Sequence, residues 1–234
     1  MNLIALETAT ESCSAALLSG GSIIERSELA PRRHAELILP MIESLLIQAG
    51  VSRSQIDGIA VGRGPGAFTG VRLAISVAQG LALGLDLPVV TVSSLAALAF
   101  DAPVDDASIL ATIDARMGEI YAGTFRRTND GLVELIGDES VGPASELVLS
   151  SSEHTHASQW SVVGSGWNAY RDVLITRLPA HPRFADGDRY PQARAIARLA
   201  EAQFAAGAGV APEFALPVYL RDKVALTLNE QRAR

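Results

Sequence analysis

Cysteine is nearly absent from this chain. Cys13 stands alone, so no internal disulfide can form. Long apolar runs are missing as well. The longest, Val71 to Leu85, is broken by Arg72, Ser76, Gln79 and two glycines, and none approaches the ~20 apolar residues of a membrane span. The opening residues, Met1-Asn2-Leu3-Ile4-Ala5-Leu6-Glu7, carry neither a basic leader nor a cleavage pattern. Together these absences set the expectation of a cytoplasmic protein without a membrane segment. Positive charge is also in deficit. A formal net charge of -7 opposes the long-range pull toward phosphates on which a stand-alone nucleic-acid binder relies, so any such contact would need a partner. There is no internal sequence repeat, no heptad series and no low-complexity linker.

What is present is core-forming material. Apolar residues make up 48% of the 234 and charged residues 19%, enough to fold as one large domain or two lobes. Asn2 to Leu6, Ser12 to Leu18 and Ser22 to Leu29 read as an antiparallel meander turned at Gly20-Gly21. His34 to Ala49 places Leu37, Ile38, Met41, Ile42, Leu45 and Leu46 at three-and-four spacing, an amphipathic helix stopped by Gly50. A buried strand at Gly58 to Val61, a helix at Thr69 to Leu85, a strand at Pro88 to Val92 and a helix capped by Ser93 or Ser94 follow. Strands alternating with helices behind a hairpin-led sheet predict an α/β fold.

Asp101 to Asp106 reads as the boundary between lobes. The expected division is 1–105, completed by 211–234, and a smaller lobe at 106–210. In the second lobe Ser108 to Ile113 and Glu119 to Phe125 flank the turn Asp114 to Gly118, and Leu132 to Ile136 extends the meander, repeating the logic of the first. Ser150 to Ser158 reads as a loop. A strand at Trp160 to Val163, a glycine turn at Gly164 to Gly166 and a helix near Gln192 to Ala206 complete the prediction.

Gly62-Arg63-Gly64-Pro65-Gly66-Ala67-Phe68-Thr69-Gly70 lies between a predicted strand and helix, where free N–H groups and the helix dipole can meet an anion. It is not a dinucleotide fingerprint: the third glycine would fall on Ala67 or Thr69. It is not a Walker loop, since no Lys-Ser or Lys-Thr follows. Position alone leaves two readings equal, a phosphate or partner loop and a tight turn that packs the next helix on the sheet.

This stretch, continued by Val71-Arg72-Leu73 and the later Ala78 to Gly84, closely resembles the signature of the TsaB family. Glu7-Thr8-Ala9-Thr10-Glu11-Ser12, Ile113 to Tyr121 and Pro217-Val218-Tyr219-Leu220-Arg221 are similar too. The resemblance implies a two-lobed, actin-like ATPase fold of ribonuclease H type, with mixed sheets flanked by helices. It implies an accessory scaffold, without catalysis of its own, that works with TsaD and TsaE to transfer threonylcarbamoyl from its adenylate to the tRNA adenosine beside the anticodon. TsaD-type proteins hold a metal through His-x-x-x-His; here Ser94 and Leu98 stand at those positions. No metal and no cofactor of its own are expected, ATP or ADP being left to the interface of the complex, and tRNA is met only through that complex.

By the same resemblance Glu7, Thr8, Thr10, Arg63, Gly64, Pro65, Gly66, Phe68, Thr69, Asp114 and Arg116 form a nucleotide or interface set. Glu7 departs from the Asp usual in the phosphate hairpin of actin-like ATPases, which weakens independent hydrolysis. The expected partner face, shared with TsaD or with a second copy as a homodimer, comprises His34, Leu37, Ile38, Met41, Leu45, Arg72 and Val77. Cys13 reads as a buried structural thiol, and the His154/His156 pair as part of an exposed loop. The rival reading, a metallo-glycopeptidase-like enzyme or small ATPase of this fold, lacks a metal pair, a G-x-S-x-G elbow and a Cys/His dyad. On balance the glycine stretch reads as a turn that sets its helix for packing and partner contact, with nucleotide binding second.

Overall fold

The computed structural model describes residues 1–103, 108–149 and 160–221. The predicted loop at 150–158 and the His154/His156 pair lie outside them. Short, almost wholly buried runs build the first sheet's β1 (Asn2–Glu7), β2 (Ser12–Ser19), β4 (Gly58–Gly62) and β5 (Val89–Val92), with the more exposed β3 (Ser22–Leu29) at its edge, in the order β3-β2-β1-β4-β5. β2 runs antiparallel to β1 and β3, whereas β1, β4 and β5 are parallel. On β1 the side chains divide by parity: Ile4 and Leu6 enter one core, Leu3 and Ala5 the other.

The Ile4/Leu6 face is covered by α1 (His34–Ala49) and α2 (Phe68–Leu85). Gly50 ends α1 in the left-handed region at φ 65, as a C-terminal glycine should. Ile38 and Leu45, expected on the partner face, are instead in the core at 1% exposure each. The apolar stripe of α1 is satisfied by its own sheet first, and only its flanks, such as Leu39 and Ile47, remain exposed. Among the described residues α2 has the length and composition to cross a membrane, beyond what the broken apolar run suggested. Its Val71, Ala74, Ile75, Ala78 and Ala82 are buried within the chain.

The second sheet contains β6 (Ser108–Arg116), β7 (Glu119–Arg127), β8 (Val133–Pro143), β9 (Trp160–Val163) and β10 (Phe184–Asp186), in the order β10-β9-β6-β7-β8. Counted from its own first strand this is the arrangement of the first sheet, with the same parallel and antiparallel pairings. β8 runs well beyond the expected Ile136. α4 (Ser165–Arg177) and β10 were not foreseen; α4 covers one face through Trp167 and Leu174 against Leu110, Trp160 and Val162.

Two helices are exchanged between the sheets. α3 (Ser94–Phe100), which follows the first sheet in sequence, packs Leu95, Leu98 and Ala99 on the second, against Ile109, Ile113 and Phe125. α5 (Ala193–Ala205), which lies in the 106–210 segment, packs Ile196, Leu199 and Ala200 on the first. The division by chain order therefore separates the strands and not the helices. The docking of α5 is directed by polar groups: Ser14 Oγ of β2 accepts from Ala193 N at 2.9 Å and Glu25 Oε1 of β3 from Arg194 N at 2.9 Å. These bonds satisfy N–H groups that the first turn cannot pair itself. Ser14→Ala leaves the buried Ala193 N–H unpaired, and a loss of about 1–3 kcal/mol in urea unfolding is expected.

Candidate functional site

Loops after the carboxyl ends of the parallel strands converge on a cleft between the sheets, as open α/β sheets place their crevices. The cleft encloses about 950 Å3, with Thr10, Pro65, Gly66, Phe68, Asp114 and Arg116 among its lining residues. Thus loops predicted far apart in sequence are brought together. Glu7, Thr8, Arg63 and Gly64 do not line it; they form the floor beneath.

The floor is a contact between the β1–β2 turn and the glycine stretch. Ala67 N donates to Ala9 O at 2.7 Å, and Thr8 Oγ1 to Gly70 O at 2.7 Å. A Cβ on Gly62 would stand 2.1 Å from Glu7 Oε2, one on Gly66 2.3 Å from Ala9 O, and one on Gly70 2.1 Å from Thr8 O. Gly66 and Gly70 are therefore required by backbone approach, and Gly62 by the buried Glu7 carboxyl packed against it. Gly64 has φ 87 and is followed by a cis peptide to Pro65. Arg63 is held through its main chain, N to Val92 O and O from Val218 N. Burial raises the carboxyl of Glu139, against the bond from Ser93 and the nearby Arg63 guanidinium, which lower it.

Glu7 is fully buried. Its Oε1 accepts from Ala9 N at 2.6 Å and its Oε2 from Ser94 Oγ at 2.7 Å. Burial raises this carboxyl from 4.5 to about 7, against the bonds from Ser94, Ala9 and Thr8 that lower it. Leu98 is buried among Leu95, Ile109 and Val163. So Ser94 is engaged by Glu7 and Leu98 offers no donor. Cys13 is buried, and burial, helped by Glu28 and Glu7, pushes its thiol up to about 11; a thiol so poorly ionised is a structural one.

The second-lobe wall is polar. Asp114 accepts from Arg116 N at 2.8 Å and from Arg116 Nη1 at 2.9 Å, and Tyr170 OH stands 3.3 Å away. Arg116 Nη2 crosses the cleft to Glu11 at 2.9 Å. His34, expected at a partner face, donates its Nε2–H to Thr10 O at 2.9 Å and so steadies the first turn. Arg72, expected there too, is stacked within the chain: its guanidinium lies 3.8 Å from the Phe68 ring centre, and Nε donates to Tyr219 OH at 2.6 Å. Thr69 is exposed at the start of α2, and Leu37, Met41 and Val77 are half-buried against the first core.

Sequence reasoning missed Glu11, Arg32, Ser165, Asn168, Tyr190 and Arg221 as cleft-lining residues. Two signals were available, the Gly164–Gly166 turn beside Ser165 and the Pro217–Arg221 motif. Among the described residues no group of three or more His, Cys, Asp or Glu is arranged to hold a metal ion.

Two measurements check the floor. Gly70→Ala should lower the urea midpoint sharply, whereas Gly80→Ala, with nothing within 4 Å of its added Cβ, should raise stability by about 0.5–1 kcal/mol. For Glu7, the folded state binds more protons than the unfolded chain between pH 4.5 and about 7. Stability therefore falls as pH rises through that window, by about 3 kcal/mol in total. Glu7→Gln should remove this dependence in urea titrations run across it.

Comparison with known proteins agrees with the fold and the motifs. Residues 23–227 match the family model described as TsaD, tRNA N6-adenosine threonylcarbamoyltransferase. The tRNA threonylcarbamoyladenosine biosynthesis protein TsaB of Escherichia coli K12 is 40% identical, covering 96% of each chain, and that of Haemophilus influenzae 36%, covering 96% of this chain and 95% of that one. A solved Pseudomonas aeruginosa structure, described as an uncharacterized protein with similarity to peptidase YeaZ, superposes with a TM-score of 0.84 at 43% identity, covering 94% of this chain and 99% of that one. The chain belongs to the TsaB family of tRNA threonylcarbamoyladenosine biosynthesis proteins, relatives of the TsaD transferases.

Proposed function

We propose that this chain is the non-catalytic accessory subunit that works with TsaD and TsaE in transferring threonylcarbamoyl from its adenylate to the tRNA adenosine beside the anticodon. The single observation that carries the reading is the state of the two positions at which TsaD-type proteins hold their metal. Ser94 is bonded to the buried Glu7 and Leu98 is packed in the core. Neither position supplies a ligand.

A scaffold needs a face, and α1 with α2 supplies one. Leu39, Ile47 and Leu83 are exposed, and Gly80 and Gly84 have open space above them. Small residues on an exposed helix let another helix approach closely, while the leucines and isoleucine supply apolar area. In this reading TsaD docks on that face, a homodimer of the free chain uses the same surface, and the two compete. ATP or ADP is then a ligand of the assembled interface. The acidic balance of the chain, -7 overall, leaves tRNA contact to the complex.

Reconstitution of the modification from TsaD, TsaE and the adenylate-forming enzyme should need this chain; full modification without it would refute the role. Leu83→Glu, on an exposed position, should weaken capture of TsaD by roughly tenfold or more while leaving the urea midpoint unchanged. Leu45→Glu is not a test of the face, because Leu45 is core.

A further inference from the structure

The turn between β6 and β7 is built against the usual preferences of its residues. Arg116 at φ 65 and Met117 at φ 58 precede Gly118 at φ 84, so two side-chain-bearing residues occupy the left-handed region that such residues rarely adopt. Unusual backbone of this kind is kept where the surroundings hold it. Here the surroundings are ionic. The Arg116 guanidinium forks between Asp114 of its own strand and Glu11 of the opposite lobe, both at 2.9 Å.

A second arginine reaches the same turn from the C-terminal strap. After Ala215, buried in the first core, the strap follows the first lobe: Val218 N donates to Arg63 O, and Tyr219 OH accepts from Arg72 Nε. Arg221 Nη2 then donates to Ala115 O and to Glu119 of the second lobe. Elsewhere Asp101, at the end of α3, ties the exchanged helices together: its carbonyl accepts from Arg189 and its carboxylate pairs with Arg194 of α5 at 3.1 Å.

We propose that Arg116 and Arg221 form an interlobe latch that keeps the cleft closed in the partner-free chain. The Arg116–Glu11 pair is solvent-exposed, with side-chain exposures of 72% and 39%. A pair of this kind is weak and screened by salt, which makes the latch reversible. The inference concerns the free chain and does not rest on the accessory role above.

The test measures distances between spin labels at Ala35→Cys on α1 and Asp172→Cys on α4, both exposed positions, in partner-free protein diluted with unlabelled chain. Buried Cys13 is left in place. Arg116→Gln and Glu11→Gln should each shift the ratio of long to short separations about two- to fivefold, the range an exposed ion pair commands. The double variant should shift it no further than either single one. Arg221→Gln should add to the shift. About 1 M NaCl, where the screening length is about 3 Å, should move the wild type the same way. Identical distributions in wild type and Arg116→Gln, or a double variant equal to the sum of the singles, would overturn the latch; unchanged circular-dichroism melts confirm that each variant is folded.

Discussion

The approach of the β1–β2 turn to the glycine stretch governs the geometry around it. Thr8 and Ala9 lie against Gly66 and Gly70 at separations that leave no room for a Cβ, and Glu7 fills the space that a side chain at Gly62 would take. The contact places the first turn of α2 at the cleft, aligns Ser94 with Glu7, and lets Arg63 hold both β5 and the strap through its main chain. A buried carboxyl at this point is tolerated because Ser94 and the backbone of Thr8 and Ala9 donate to it and because its proton is retained up to about pH 7.

The two sheets share one strand order without any visible repeat in sequence. Each sheet needs both faces covered, and the chain meets that need by exchanging α3 and α5 across the boundary. This exchange joins the lobes through apolar packing, while across the cleft they meet through the Arg116–Glu11 ion pair. The cleft side is consequently where ion pairs, which respond to salt, can set the separation of the lobes.

Much of the fold was legible because local patterns were strong. The spacing of α1 and the glycine at its end predicted both of its limits, and short apolar runs about the Gly20-Gly21 turn predicted β1 to β3. β10 was not legible, since three residues carry no period. The α4 signal was present in Trp167, Tyr170 and Leu174 but was diluted by polar neighbours. Ile38 and Leu45 illustrate a different limit: an apolar stripe at helical spacing states that a face is buried, not whether the chain or a partner buries it.

By itself the sequence determined the α/β class, the family, the strand–glycine–helix motif and the inert character of Leu98, because each rests on residue type or on neighbours in the chain. Only the tertiary structure decided why the glycines are glycines, which lobe α5 covers, that His34 and Arg72 are engaged at home, and that Arg116 meets Glu11. Those facts depend on contacts between residues distant in sequence, and a contact of that kind has no local signature. The cleft is thus written across many segments at once, while the family signature is written within single ones.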